Sequence, residues 1–310
     1  MSKVAIVQQT PVFLDRDSAL KKAVFAIHEA AIQGAKLIVF PEAYISGYPA
    51  WVWRLRPGTD HNILANLHAQ AFSQSIHMQS DDLQPVREAA KAHKVTVVCG
   101  INERASEGSQ TTLYNAVVTI GPEGEVLNKH RKLMPTNAER TFWGLGDASG
   151  LKVVDTPCGR IGSLICWENY MPLSRAALYE QGIDIYIAPT YDSGENWICS
   201  LRHIAREAGC WVLGAGNIFQ ASDIPDALPA KLSMYLNPEE WVNPGDSVVI
   251  APDGRIVAGP LHQEQGILYA EIDLQAIVSA RRSHDVVGHS ARNDIFQLNV
   301  TSTKNIKSNN

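Results

Sequence analysis

Residues 161–188 read IGSLICWENYMPLSRAALYEQGIDIYIA. The stretch opens on a short apolar strand, Ile161–Ile165. It turns through Cys166-Trp167-Glu168-Asn169, enters a helix across Leu173–Gln181, and returns as a second apolar strand, Ile183–Ala188. Strands this short and this uniformly apolar are covered on both faces, the signature of an α/β sheet rather than a half-solvated antiparallel one. Similar units lie to either side. Val4–Val7 and Leu37–Phe40 are apolar runs flanking a helical pattern over Asp15–Gln33, where Leu20, Val24, Ile27 and Ala31 share one face. Leu83–His93 predicts a helix and Val95–Cys99 a strand; Trp197–Ala208 and Trp211–Ala215 repeat that order. Gly121-Pro122-Glu123-Gly124 and Pro252-Asp253-Gly254 are hairpin turns, and Ile267–Ile272 is the last clear strand. The expectation is therefore an α/β fold with mixed strand pairing. Two stretches break the pattern, Trp51–Met78 and Ala221–Val242; insertions of that length are usually functional or interfacial.

The chain has 310 residues, 45% hydrophobic and 19% charged, with a net charge of −5. This is a globular balance whose sign argues against nucleic acid or an anionic membrane as partner. No run approaches the roughly 18 apolar residues of a membrane span, and no secretory leader is legible, so a cytoplasmic location is expected. A single domain over residues 1–300 and a disordered polar tail over 301–310 are expected. Five cysteines, none in a C-x-x-C pair, fit a reducing compartment and neither a disulfide framework nor a zinc site. No cofactor or metal is called for.

Three places can carry chemistry. Phe40-Pro41-Glu42 sets a carboxylate at the end of an apolar strand, where α/β sheets bind ligands; alone it reads as a surface acid in a turn. His130-Arg131-Lys132 leaves a strand for a proline-containing loop; alone it is a solvated basic edge. Cys166 ends a strand just before a helix, a turn that holds a nucleophile above a sheet with the next N–H open to an oxyanion. A buried core thiol is the commoner fate of cysteine, and is the expectation for Cys99, Cys158, Cys199 and Cys210. Taken together, the lysine stabilises the thiolate and the carboxylate accepts the thiol proton. A Cys–His pair using His130 or His289 is the rival.

FPEAYISGYP (40–49), KHRKLMPT (129–136) and CWENYMPL (166–173) resemble the three motif regions of the nitrilase branch of the carbon–nitrogen hydrolase superfamily. Asn102–Arg104, Leu113–Val118, Glu139–Asp147 and Asp285–Arg292 are similar too, so the likeness runs from Val4 to about Val300. The resemblance implies a four-layer α-β-β-α sandwich and a Glu42–Lys132–Cys166 triad, with Glu139 as a further active-site glutamate. It implies a small-molecule nitrile as substrate and a homodimer or larger assembly, to which the two insertions add contacts. The long C-terminal tail of many microbial nitrilases has no counterpart here, which leaves filament formation open. Tyr48, Trp143, Trp167 and Tyr191 lie in or beside the motifs and are the candidates for lining an apolar substrate pocket; Trp51, Trp53 and Trp197 are weaker ones. An amidase or carbamoyl hydrolase with the same triad, a nitrilase releasing much amide, and a silent scaffold on this fold are the alternatives.

Overall fold

The computed structural model describes residues 1–106 and 108–301. Its strands are β1 (Ser2–Gln8), β2 (Leu37–Val39), β3 (Thr96–Arg104), β4 (Leu113–Ile120), β5 (Val126–Arg131), β6 (Val154–Thr156), β7 (Gly159–Ser163), β8 (Ile185–Thr190), β9 (Trp211–Gly216), β10 (Ile218–Gln220), β11 (Trp241–Ile250), β12 (Ile256–His262) and β13 (Gly266–Ile272). Its helices are α1 (Arg16–Ile32), α2 (His61–Ser73), α3 (Gln84–His93), α4 (Pro172–Tyr179), α5 (Glu195–Ala208), α6 (Lys231–Met234) and α7 (Gln275–Ser283).

The strands form two sheets. One has the order β13-β1-β2-β3-β4-β5; the other runs β10-β11-β9-β8-β7-β6, with β12 also paired to β11. Within each sheet three central strands are parallel, β1-β2-β3 and β7-β8-β9, and the remaining pairs are antiparallel. Side-chain alternation explains the uniformly apolar runs. Val4 and Ile6 of β1, with Leu37 and Val39 of β2, face Ile185 and Ile187 of β8 and Leu213 of β9 across the gap between the sheets. Ala5 and Val7 turn outward to α1 and α3. Tyr186 and Ala188 turn outward to α4 and α5. Every residue of such a strand is thus buried, each aliphatic one contributing about 1.5–3 kcal/mol. This is the expected α-β-β-α sandwich.

α1 is capped by Asp15, which accepts the Ser18 N–H at 3.0 Å, and buries Ala19, Ala23, Ala26 and Ala30 with Leu20 and Ile27. The two pattern-breaking stretches are partly helical, holding α2 and α6. Their apolar residues, among them Leu67, Ala71, Ile224, Leu228 and Tyr235, pack inward around Tyr48, Trp51, Phe142 and Trp143. The second stretch ends two residues before Val242, because β11 begins at Trp241. Its first half, with Asn243, Pro244 and Gly245, lacks an apolar run and pairs irregularly, which hid it. The hairpin β6–β7 escaped notice because β6 has only three residues. The tail expected at 301–310 lies outside the described residues except for Thr301.

Candidate active site

Because β2, β5, β7 and β8 leave their sheets at one end of the sandwich, the segments that follow them meet. Glu42 follows β2 by three residues and is fully buried. Its Oε1 accepts from Asn115 Nδ2 at 2.6 Å and Lys132 Nζ at 2.8 Å, and its Oε2 accepts the Tyr191 N–H at 2.6 Å. Asn217 Nδ2 donates to its main-chain carbonyl at 2.9 Å.

The basic run is sorted by the period of β5. Lys129 and Arg131 point to one face, where both donate to Glu103, and Arg131 also lies 3.9 Å over the Tyr114 ring. His130 and Lys132 point to the other, and both are buried. Lys132 Nζ sits between two carboxylates, donating to Glu42 and, at 2.7 Å, to Glu139 Oε2. Glu139 is held in turn. Its Oε2 accepts the Thr136 N–H at 2.6 Å and its Oε1 the Tyr48 hydroxyl at 2.6 Å. Its cationic partner is Lys132 and not the neighbouring Arg140.

Cys166 has a backbone φ of +52°, the left-handed region that a side chain adopts only when its surroundings demand it. Those demands are visible. Asn169 Nδ2 donates to the carbonyls of Leu164 and Cys166 at 3.0 and 2.7 Å, and Tyr186 donates to Asn169 Oδ1 at 2.6 Å. Glu168, also buried, accepts the N–H groups of Ile165 and Leu133 at 2.7 and 2.6 Å, tying the cysteine turn to the lysine segment. His130 Nε2 lies 3.0 Å from the same Glu168. Among the described residues no hydrogen bond joins a histidine to Cys166, and His289 is exposed near the C-terminus, so the Cys–His rival has no geometry behind it.

Burial, and then the charge of Glu42, push the Cys166 thiol up; Lys132 pulls against them without reversing the result. Burial likewise raises the Glu42 carboxyl, with Lys132 opposing. For Lys132 burial favours the neutral amine, but Glu42, Cys166 and Glu139 together outweigh it and hold the ammonium. Burial thus favours the protonated thiol and raises the basicity of the carboxylate, while the cation is held in place.

Above Cys166 lies a cavity of about 290 Å³. Tyr48, Trp167 and Tyr191 line it, with Trp53, Asp192 and Asn243. Tyr48 and Tyr191 stack at 3.8 Å. Trp167 is half-exposed, its indole N–H donating to Asp192 at 2.9 Å. Trp143 is not part of the wall. It packs edge-on behind Tyr48 and donates to Asn102 at 3.0 Å, because its place on the strand-like exit from the Glu139 turn faces the core. Trp51 and Trp197 are buried elsewhere, while Trp53 lines the cavity and donates to Tyr48 Oη at 2.9 Å. Cys199 is exposed, against expectation, because it sits on the face of α5 opposite Trp197, Leu201 and Ile204. Glu168, Asn115 and Asn217 were missed as site residues; a carboxylate or amide inside a motif shows no partner until the chain is folded.

The carbon–nitrogen hydrolase family model matches residues 3–282. The chain belongs to the nitrilase branch of that superfamily. It is 40% identical over 302 residues to Nitrilase 1 of Arabidopsis thaliana, covering 96% of this chain and 86% of that protein. It is 38% identical to the bifunctional nitrilase/nitrile hydratase NIT4A of Lupinus angustifolius, covering 96% and 85%. Among solved structures, Saccharomyces cerevisiae Nit3, a member of branch 10 of the nitrilase superfamily, superposes with a TM-score of 0.70 at 21% identity, over 94% of this chain and 97% of that one. The last comparison speaks to fold alone. As a member of this branch the protein is a hydrolase of carbon–nitrogen bonds. No helix among the described residues is long and apolar enough to cross a membrane.

Proposed function

We propose that the protein is a nitrilase, converting a nitrile and two waters to a carboxylic acid and ammonia with Cys166 as nucleophile. The observation that carries the choice of nitrile over amide is the 40% identity to a nitrilase across nearly the whole chain. Glu42 takes the Cys166 proton as sulfur bonds to the nitrile carbon, and the proton passes to nitrogen, leaving a thioimidate. Lys132, with the backbone N–H of Trp167, stabilises the charge that gathers on that nitrogen. Glu42 then activates a water that adds to the carbon. Breaking the C–N bond releases ammonia and leaves a thioester, which a second water opens to acid and free thiol. Glu139 holds Lys132 in place.

A second outcome has a specific support. Several relatives are bifunctional nitrilase/nitrile hydratases. If the C–S bond of the tetrahedral intermediate breaks before the C–N bond, the product is an amide. Self-association belongs to the same proposal, supported by Leu232 and Leu236, which stand exposed on the second insertion; light scattering tests it.

The deciding experiment measures ammonia, acid and amide from an aliphatic dinitrile, an aromatic nitrile, a phenylacetonitrile and the matching amides, with native protein and Cys166→Ala. Cys166-dependent acid from nitriles is expected. Turnover of amides only would move the protein to amidase chemistry.

A further inference from the structure

The β11–β12 pairing is broken by register shifts on either side of Ser247, and at Gly245–Asp246 the backbone takes φ of +100° and +70°. Left-handed backbone is ordinary for glycine but costs an aspartate, so something holds Asp246 there. Its side chain is only 4% exposed. One oxygen accepts the Gly194 N–H at 2.8 Å; the other lies 2.7 Å from Nδ1 of His262, whose ring is mostly in solvent. Three residues earlier on the same strand, Asn243 Nδ2 donates to the Tyr191 carbonyl, while Asn243 Oδ1 accepts the Gly245 N–H at 3.1 Å. The bulge therefore grips the segment Tyr191–Gly194 at both ends. That segment contacts Glu42 directly and reaches Glu139 through Tyr48. The Tyr191 N–H donates to Glu42, and the Tyr191 ring stacks on Tyr48, whose hydroxyl donates to Glu139. Bulges beside active sites commonly re-aim side chains; here two are aimed at one loop.

We infer that the Gly245–Asp246 bulge is a clamp for the general base: Asp246 through Gly194, and Asn243 through Tyr191, keep the Tyr191 N–H on Glu42. Asp246 is a positioning residue, and His262 supplies the second hydrogen bond that keeps its carboxylate turned inward. The inference rests on the proposal that Glu42 is the base, but not on the substrate being a nitrile.

The test uses Asp246→Gly and Asp246→Asn in the full chain. Glycine suits the left-handed backbone, which offsets part of the cost of leaving the Gly194 N–H unpaired, so its Tm should fall only modestly. Its kcat should nonetheless fall about tenfold, the effect of one weakened charge-assisted hydrogen bond. The acid limb of its kcat/KM profile should move to higher pH, because Glu42 loses a donor that favours its charged form. Asparagine tolerates the same backbone and can still accept from Gly194, so it should restore most of the rate. Alkylation of Cys166 by iodoacetamide, followed across pH by peptide mass spectrometry, reports the Glu42–Cys166 proton transfer without any substrate, and its inflection should move with the limb. If nitriles are not turned over by native protein but the alkylation inflection shifts in Asp246→Gly, the clamp stands and the substrate proposal fails. Native kcat and an unmoved limb in Asp246→Gly would overturn the clamp, as would a loss confined to the fraction of active protein with both pH profiles unchanged.

Discussion

Lys132 is the residue whose loss does most damage, since among the described residues it alone forms ion pairs with the buried Glu42 and Glu139. Removing one member of a buried ion pair leaves uncompensated charge and costs about 3–5 kcal/mol. Lys132→Ala should therefore lower Tm as well as abolish turnover, both readable by calorimetry and an ammonia assay. Glu42→Gln is a milder cut. The amide oxygen can still accept from Lys132, so the fold should survive while turnover falls by roughly 10²–10⁴. A native fold with native rate would remove Glu42 from the chemistry. The raised Glu42 carboxyl also sets a sign. In the proposed role of general base Glu42 works ionised, so the acid limb of kcat/KM should lie above the ordinary carboxylate range, and falling pH should silence the enzyme before it reaches that range. For folding, a carboxyl raised in the native state contributes most below its unfolded value and loses that contribution as pH rises through the folded one.

At the scale of elements, the strands and helices that carry the site were legible because they are regular. β1, β2, β8 and β9 are short apolar runs, and α1 shows its apolar spacing and its Asp15 cap in the chain itself. Glu42 and Cys166 were legible because each ends an apolar run, and Lys132 because it leaves a strand, all three inside recognisable motifs. What stayed hidden depends on folding to acquire meaning. Glu168 was visible only as a polar neighbour of Cys166, and its hold on the Ile165 and Leu133 N–H groups links segments that are 32 residues apart in sequence. Asp246 was hidden for the same reason, in a stretch with no period at all. Glu168→Ala should leave those two N–H groups unsatisfied at about 1–3 kcal/mol each. It should also loosen the Cys166 turn, so kcat should drop along with Tm; a Tm loss with unchanged kcat would make Glu168 a purely structural tie. The Asp15 cap predicts a smaller effect. Asp15→Ala should cost about 1 kcal/mol of stability at neutral pH. The lowered Asp15 carboxyl means that this contribution is present above its unfolded value and disappears as pH falls through the folded one.

Across the whole molecule, the sandwich gives two rigid sheets whose ends present three chemical groups from three separate segments, under a roof made by the two insertions. Lys132, held between two carboxylates, has one consequence for the end of the reaction cycle. The chamber counts three acidic side chains, Glu42, Glu139 and Asp192, against the one ammonium of Lys132, and the proposed reaction creates a further carboxylate inside it. Two like charges about 5 Å apart repel by about 3 kcal/mol at an effective dielectric constant of about 20. The uncharged nitrile of the proposed reaction would enter without that opposition, and the anion it becomes would be pushed toward solvent. The acid should consequently be a poor inhibitor of its own formation, weaker than the matching neutral amide, so that turnover runs on at product concentrations that would stall an electrically neutral pocket.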